Sequence, residues 1–166
     1  MNTEYLLKEL EPNSKGRIPE NYFVAFYGNP GKDKVWGWKF GGHHLALNYT
    51  IVNNQLAFAP FFFGVYPAVR TKGEGKEKNI FKDEEELGFK LVNSLTQEQK
   101  LKAIFKLIPF ADIVTKVSPK VVPFDTVGII AKDLTFEQKH FLNQLIVTYL
   151  SNMPTKIAQL RMKRII

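Results

Sequence analysis

No cysteine occurs among the 166 residues, so disulfides, thiolate nucleophiles and Cys-ligated zinc or iron–sulfur centres are excluded. Only His and carboxylates remain as strong metal ligands, and there are just three histidines. No apolar run approaches the ~18 to 20 residues of a bilayer span, so no membrane span is expected. The segment from Met1 to Leu10 reads as a mixed-charge helix carrying Glu4 and Glu9. It lacks the basic region and apolar stretch of a secretory signal, which predicts a cytoplasmic chain as given. P-loop, Rossmann glycine, HExxH and GxSxG strings are missing, so nucleotide-dependent chemistry is not expected.

What is there is enough for one core. The chain is 45% hydrophobic and 13% aromatic, and this length predicts a single domain over 1–166. The net charge of +7 is uneven, with +2 over residues 1–70, +1 over 71–134 and +4 over 135–166. At the carboxyl end Lys156, Arg161, Lys163 and Arg164 fall on a predicted helix, where cations complement the C-terminal dipole. No aromatic residues interleave with these cations and no recognition motif accompanies them, so they read as a solvated helix end and no specific nucleic-acid partner is expected.

Strand signals fill the first half. Asn21 to Gly28 is aromatic and β-branched, ends in the turn cluster Gly28-Asn29-Pro30-Gly31, and precedes a long run from Trp36 to Ile51. Asn53-Asn54 suits a two-residue hairpin turn, because Asn tolerates positive φ, and a return strand runs from Leu56 to about Val65. In the second half Asp83 to Glu86, Thr96 to Gln99 and Thr135 to Gln138 each fit a capping box. They predict helices over about Glu84–Ser94, Gln97–Leu107 and Phe136–Ser151, with Pro154 opening a fourth. Leu-Thr-x-Glu-Gln-Lys occurs twice, at Leu95 to Lys100 and Leu134 to Lys139, and reads as repeated use of a good cap. Pro109 to Lys132 reads as a loop whose apolar runs drape over the core, and Lys72 to Lys78 as the most mobile loop. The expected fold is α+β, an antiparallel sheet from the first half packed on one face by helices of the second half.

The segment from Trp36 to Thr50 holds both tryptophans and two of the histidines. On a regular strand His43 and His44 point to opposite faces, so at most one serves a given site. With Asn53-Asn54 as the turn, His44 pairs with Phe63, Ala46 with Phe61, Asn48 with Ala59 and Thr50 with Ala57. This predicts a pocket face built from His44, Asn48, Phe61 and Phe63 and extended by Trp36, Trp38 and Phe40. Gly41 and Gly42 mark a bulge or a close approach, and a bulge would re-aim one histidine. Against a ligand role for His44, His43 or Asn48 stands the plainer reading, in which strand histidines bond to backbone and tryptophans are core. Asp112 is a weaker candidate that caps a turn, and His140 is an isolated helix residue.

Asn21 to Gly28, then Trp36-Gly37-Trp38-Lys39 and Gly42-His43-His44-Leu45-Ala46-Leu47-Asn48, resemble the bacterial family known as domain of unknown function 3500. The similarity continues through Pro60 to Gly64, Pro67-Ala68, Leu95 to Gln99, Ala111-Asp112-Ile113 and Leu134-Thr135, and covers most of the chain. Relatives often have Glu where Gly42 stands and Asn near Tyr66, and they are about twice as long. The resemblance implies that this chain matches their middle portion, as a fragment, a split gene or a shortened relative. It further implies a downstream tract with a His-x-His pair that would complete a site at His43 or His44. Full-length relatives could be exported, and the family carries no established activity.

Two functional expectations stay open. The first is a His-centred metal or catalytic site of hydrolase or oxidoreductase type, which takes a divalent transition metal only if ligands missing here are supplied. The second is a binding or partner-assembly module whose open aromatic face meets a second subunit or the missing segments.

Overall fold

The computed structural model describes the chain except residues 1, 17, 70–78, 116, 117, 119, 121, 122, 124 and 166. The expected mobile loop at 72–78 lies outside the described residues. The fold is α+β, with an antiparallel sheet in the first half followed by helices in the second. It divides into two compact units, Met1–Ile80 and Phe81–Ile166.

In the first unit, helix α1 (Asn2–Leu10) precedes four strands, β1 (Phe23–Tyr27), β2 (Val35–Gly41), β3 (Leu45–Val52) and β4 (Gln55–Phe63). They form an antiparallel meander in the order β1-β2-β3-β4. The β3–β4 turn falls where the sequence places it. Asn53 and Asn54 adopt φ of 49° and 63°, and Val52 pairs with Gln55. Among the described residues Leu6, Leu7, Pro19 and Tyr49 are this unit's buried apolar side chains, and Leu7 is wholly enclosed.

Two features differ from the sequence reading. The run Trp36–Ile51 is not one strand: Gly42, His43 and His44 connect β2 to β3, and the Gly42 N–H donates to the Leu45 carbonyl at 2.9 Å. The β3–β4 register also slips by one residue between Leu47 and Tyr49. Thr50 pairs with Ala57 as expected, but Ala46 meets Phe62 and Leu45 meets Phe63. The extra residue lies in the Ala59-Pro60 stretch of β4, where proline has no N–H to give the ladder.

Those two events set the faces of the sheet. Trp36, Trp38 and Phe40 pair with Ile51, Tyr49 and Leu47, and Leu47 and Leu45 pair with Phe61 and Phe63, so all of these share one face. Trp38 stacks on Tyr49 with ring centroids 4.3 Å apart, and a row of ring contacts continues through Phe58 and Phe61 to Phe63.

In the second unit, helices α2 (Lys82–Ser94), α3 (Gln97–Ala103), α4 (Phe136–Ser151) and α5 (Thr155–Ile165) are joined by coil and one 3₁₀ turn (Ala131–Asp133). Helix α4 packs against α2 and α5. Helix α2 begins two residues before its expected start, at Lys82, with Phe81 as N-cap and no side-chain cap bond. Asp83 therefore sits inside the first turn, where its charge still favours the dipole. Helix α3 stops short of Leu107 because the backbone leaves the helical region at Ile104 (φ −93°, ψ 76°). Ile113, Val114, Val127 and Ile130, expected to drape over the core, are exposed.

The two Leu-Thr-x-Glu-Gln-Lys segments form true capping boxes and face each other. Gln99 Nε2 donates to Gln138 Oε1 at 3.0 Å, and Gln138 Nε2 donates to Gln99 Oε1 at 2.8 Å. Each amide also bonds a carbonyl just ahead of the other segment, Gln99 to Asp133 at 3.1 Å and Gln138 to Ser94 at 2.9 Å. Leu95 and Leu134, which begin the two segments, are both buried. The repeat is thus a pair of helix starts that satisfy each other's part-buried polar groups.

Candidate functional site

The site forms where α1, the segment before β1 and the β2–β3 connection meet. In α1, Glu4 stands one turn before Leu7 and so shares its inward face. Its carboxylate is carried into the fold, and Glu4 is only 6% exposed. Glu4 Oε1 accepts the Tyr22 hydroxyl and meets His44 Nδ1 at 2.8 Å. Gly42 makes room for this arrangement, since a Cβ at Gly42 would lie only 2.2 Å from Cδ1 of the Tyr22 ring.

The protonation pattern follows from these contacts. Burial pushes the Glu4 carboxyl upward, but hydrogen bonds from Tyr22 and His44 and the nearby imidazoles outweigh it and hold Glu4 below the usual glutamate range. Burial, together with the bond to Glu4, pushes the Tyr22 phenol up to about 12, although the His44 backbone bond acts the other way. At neutral pH Glu4 is therefore ionised and Tyr22 neutral. An ionised carboxylate only accepts, so His44 Nδ1 must carry the proton it shares with Glu4. In neutral His44 the lone pair then lies on Nε2.

Beside this trio is a cavity of about 390 Å³. Its polar lining is Glu4, Glu20, Tyr22 and His44, and Pro19, Phe40 and Leu45 supply apolar wall. Glu20 is exposed, accepts the Tyr5 hydroxyl at 2.7 Å, and is held below its ordinary range first by that bond.

The structure keeps His44 and Phe40 together and divides the other residues expected in the pocket. His43 and His44 do not point apart; their rings stand 4.2 Å apart, edge to face, because they occupy a connection where strand alternation does not apply. His43 is exposed, whereas the His44 side chain is 17% exposed. Asn48 pairs with Lys39 on the face opposite Trp38 and Phe40, so it does not join His44. Asn48 instead lines a second cavity, of about 230 Å³, with Trp36, Trp38 and Lys39. Phe61 and Phe63 share the face of Tyr49, not that of Asn48, and neither lines the His44 cavity. Gly42 acts through the room it leaves for Tyr22. Asp112 accepts the Ile113 N–H at 2.7 Å in an exposed turn, and His140 is an exposed residue of α4 near Phe141.

The sequence reading missed Glu4, Glu20 and Tyr22. The signal for Glu4 was its spacing from Leu7, which puts a carboxylate on the apolar side of a short helix. Nothing in the sequence pairs it with residues eighteen and forty positions away.

Among the described residues no group of three or more His, Cys, Asp or Glu gathers as a metal site, and no helix is long and apolar enough to cross a membrane. The family model described as a protein of unknown function (DUF3500) matches residues 1–166, the whole chain. No curated protein and no solved structure matches it.

Proposed function

We propose, for a chain that belongs to the DUF3500 family, that its first unit carries an acid–base site centred on His44 and acting in the adjoining cavity. The observation that supports this reading is the Glu4–His44 pair at 2.8 Å. A buried carboxylate on Nδ1 fixes the ring, makes Nε2 the basic nitrogen, and stabilises the imidazolium formed when Nε2 takes a proton. The chain has no cysteine, and among the described residues neither serine nor threonine lines the cavity. The nucleophile that His44 activates is therefore water or a hydroxyl of the substrate, as in a hydrolase. In a metal form of the site, His44 would supply one ligand through Nε2, with Glu4 orienting the ring from Nδ1. A transition ion needs two or three more, contributed from outside this cluster.

Turnover of ester, amide and phosphoester substrates by the full chain tests the reading. His44→Ala is expected to lower the rate by about a hundredfold or more and Glu4→Gln by roughly tenfold, while His43→Ala has little effect. Turnover unchanged in His44→Ala contradicts the reading.

A second reading, assembly with another subunit, has its own support. Strand β1 is an edge of the sheet, and Phe23, Val24, Phe26 and Tyr27 are each more than half exposed, with Phe26 at 66%. An apolar edge strand without a charge offers both backbone pairing and contact area to a neighbouring chain. Sedimentation of the wild type against Val24→Lys tests it. A dimer lost in the variant supports assembly, and monomers in both contradict it.

A further inference from the structure

We infer that the cavity beside His44 receives a small organic cation, an ammonium group carried on an apolar body; this rests on the His44-centred reading and adds the class of its ligand. Glu4 is more than nine-tenths buried and lines the cavity. Its Oε1 takes both the Tyr22 and the His44 bonds, and Oε2 takes no hydrogen bond from the described residues. A carboxylate has about four acceptor positions, and a buried oxygen without a donor is costly, so a donor from outside the chain is favoured there.

Among the described residues the carboxylates are the charged groups that line it. Glu20 adds a second carboxylate, and among the described residues no lysine or arginine lines the cavity, although the chain as a whole carries +7. Lys8 of α1 acts on Glu20 and weakens its pull, which leaves Glu4 as the principal anchor. The Tyr22 and Phe40 rings, with centroids 6.0 Å apart, offer π faces to a cation, and Leu45 and Pro19 offer apolar contact to the body that carries it. An anion of the same size would face both carboxylates, with His44 alone among the described lining residues to meet it. A bare metal ion would lack ligands, because the described residues gather no third His, Asp or Glu. A ligand ammonium on Oε2 would hold its neighbouring atoms beside the His44 ring, where the acid–base group can act on them.

The test is an NMR titration of the full chain with butylammonium, butyrate and butanol as matched probes, followed through the ring signals of His44, Tyr22 and Phe40. Butylammonium is expected to give a saturable shift, butanol a weaker one and butyrate none. Glu4→Gln should weaken butylammonium by roughly tenfold and Glu20→Gln by a few-fold. Glu20 is exposed, so that second variant tests the charge without disturbing the buried cluster. Butyrate binding as well as butylammonium, no saturable shift with butylammonium, or indifference to both substitutions would each overturn the inference. His44 nitrogen shifts, recorded without probe, separate the two claims. A proton on Nδ1 together with failed ammonium binding removes only the ligand class, whereas a proton on Nε2 removes the His44 reading itself.

Discussion

Glu4 and His44 lie forty residues apart in sequence, yet Oε1 of one meets Nδ1 of the other at 2.8 Å, with the Tyr22 hydroxyl on the same oxygen. One carboxylate thus ties α1, the segment before β1 and the β2–β3 connection to each other. A charge-assisted hydrogen bond contributes about 1.5–3 kcal/mol, and removing one partner of a buried pair costs more, because the other is left unmet.

Acidification should therefore loosen the first unit in a defined direction. The Glu4 carboxyl is held low in the fold, so its contribution is present above the ordinary glutamate range and is lost as pH falls through the folded value. Denaturant unfolding should show Glu4→Gln less stable than wild type by about 2 kcal/mol at neutral pH, with the gap narrowing in acid. A gap independent of pH would mean that Glu4 contributes packing alone.

At high pH the sign reverses. Tyr22 is raised to about 12, so its neutral phenol stabilises the fold below the ordinary tyrosine range, and that contribution is lost as pH rises through the folded value. The absorbance of tyrosinate should show a late step that Tyr22→Phe removes. If the variant removes a step of ordinary position, the Tyr22–Glu4 bond is not formed in solution.

Gly42→Ala should destabilise by about 1–3 kcal/mol and displace the Tyr22 ring, since the added Cβ needs space that the ring occupies. The Tyr22→Leu background, which vacates that space, should absorb much of the loss. Equal loss in both backgrounds would put the requirement on the backbone at Gly42.

In the second unit the reciprocal amide pair predicts non-additivity. Gln99→Ala and Gln138→Ala should each cost about 1–2 kcal/mol, and the double variant less than their sum. A strictly additive cycle would mean that the two capping boxes act independently.

What was legible in the sequence was local. Asn53-Asn54 fixes a turn because two adjacent residues must take positive φ, and Thr96 and Thr135 fix helix starts because each meets its partner three residues on. An antiparallel sheet followed by helices could be read from such punctuation, but the break at Gly42 to His44 that divides Trp36–Ile51 into two strands could not. The sheet faces could not be read beyond Asn48, because one extra residue near Pro60 moves Phe61 and Phe63 to the other side. Nor does alternation apply to His43 and His44, which join strands and lie in neither. His44 itself was legible as the residue of interest. Its partners Glu4 and Tyr22 were not, since a contact between a helix and a hairpin connection leaves no spacing in the chain.

The nitrogen chemical shifts of the His44 ring test the central claim most directly. Neutral His44 is predicted to carry its proton on Nδ1 and its lone pair on Nε2, with that preference lost in Glu4→Gln and kept in His43→Ala. A proton on Nε2 in the wild type, or a tautomer mixture unmoved by Glu4→Gln, would contradict it.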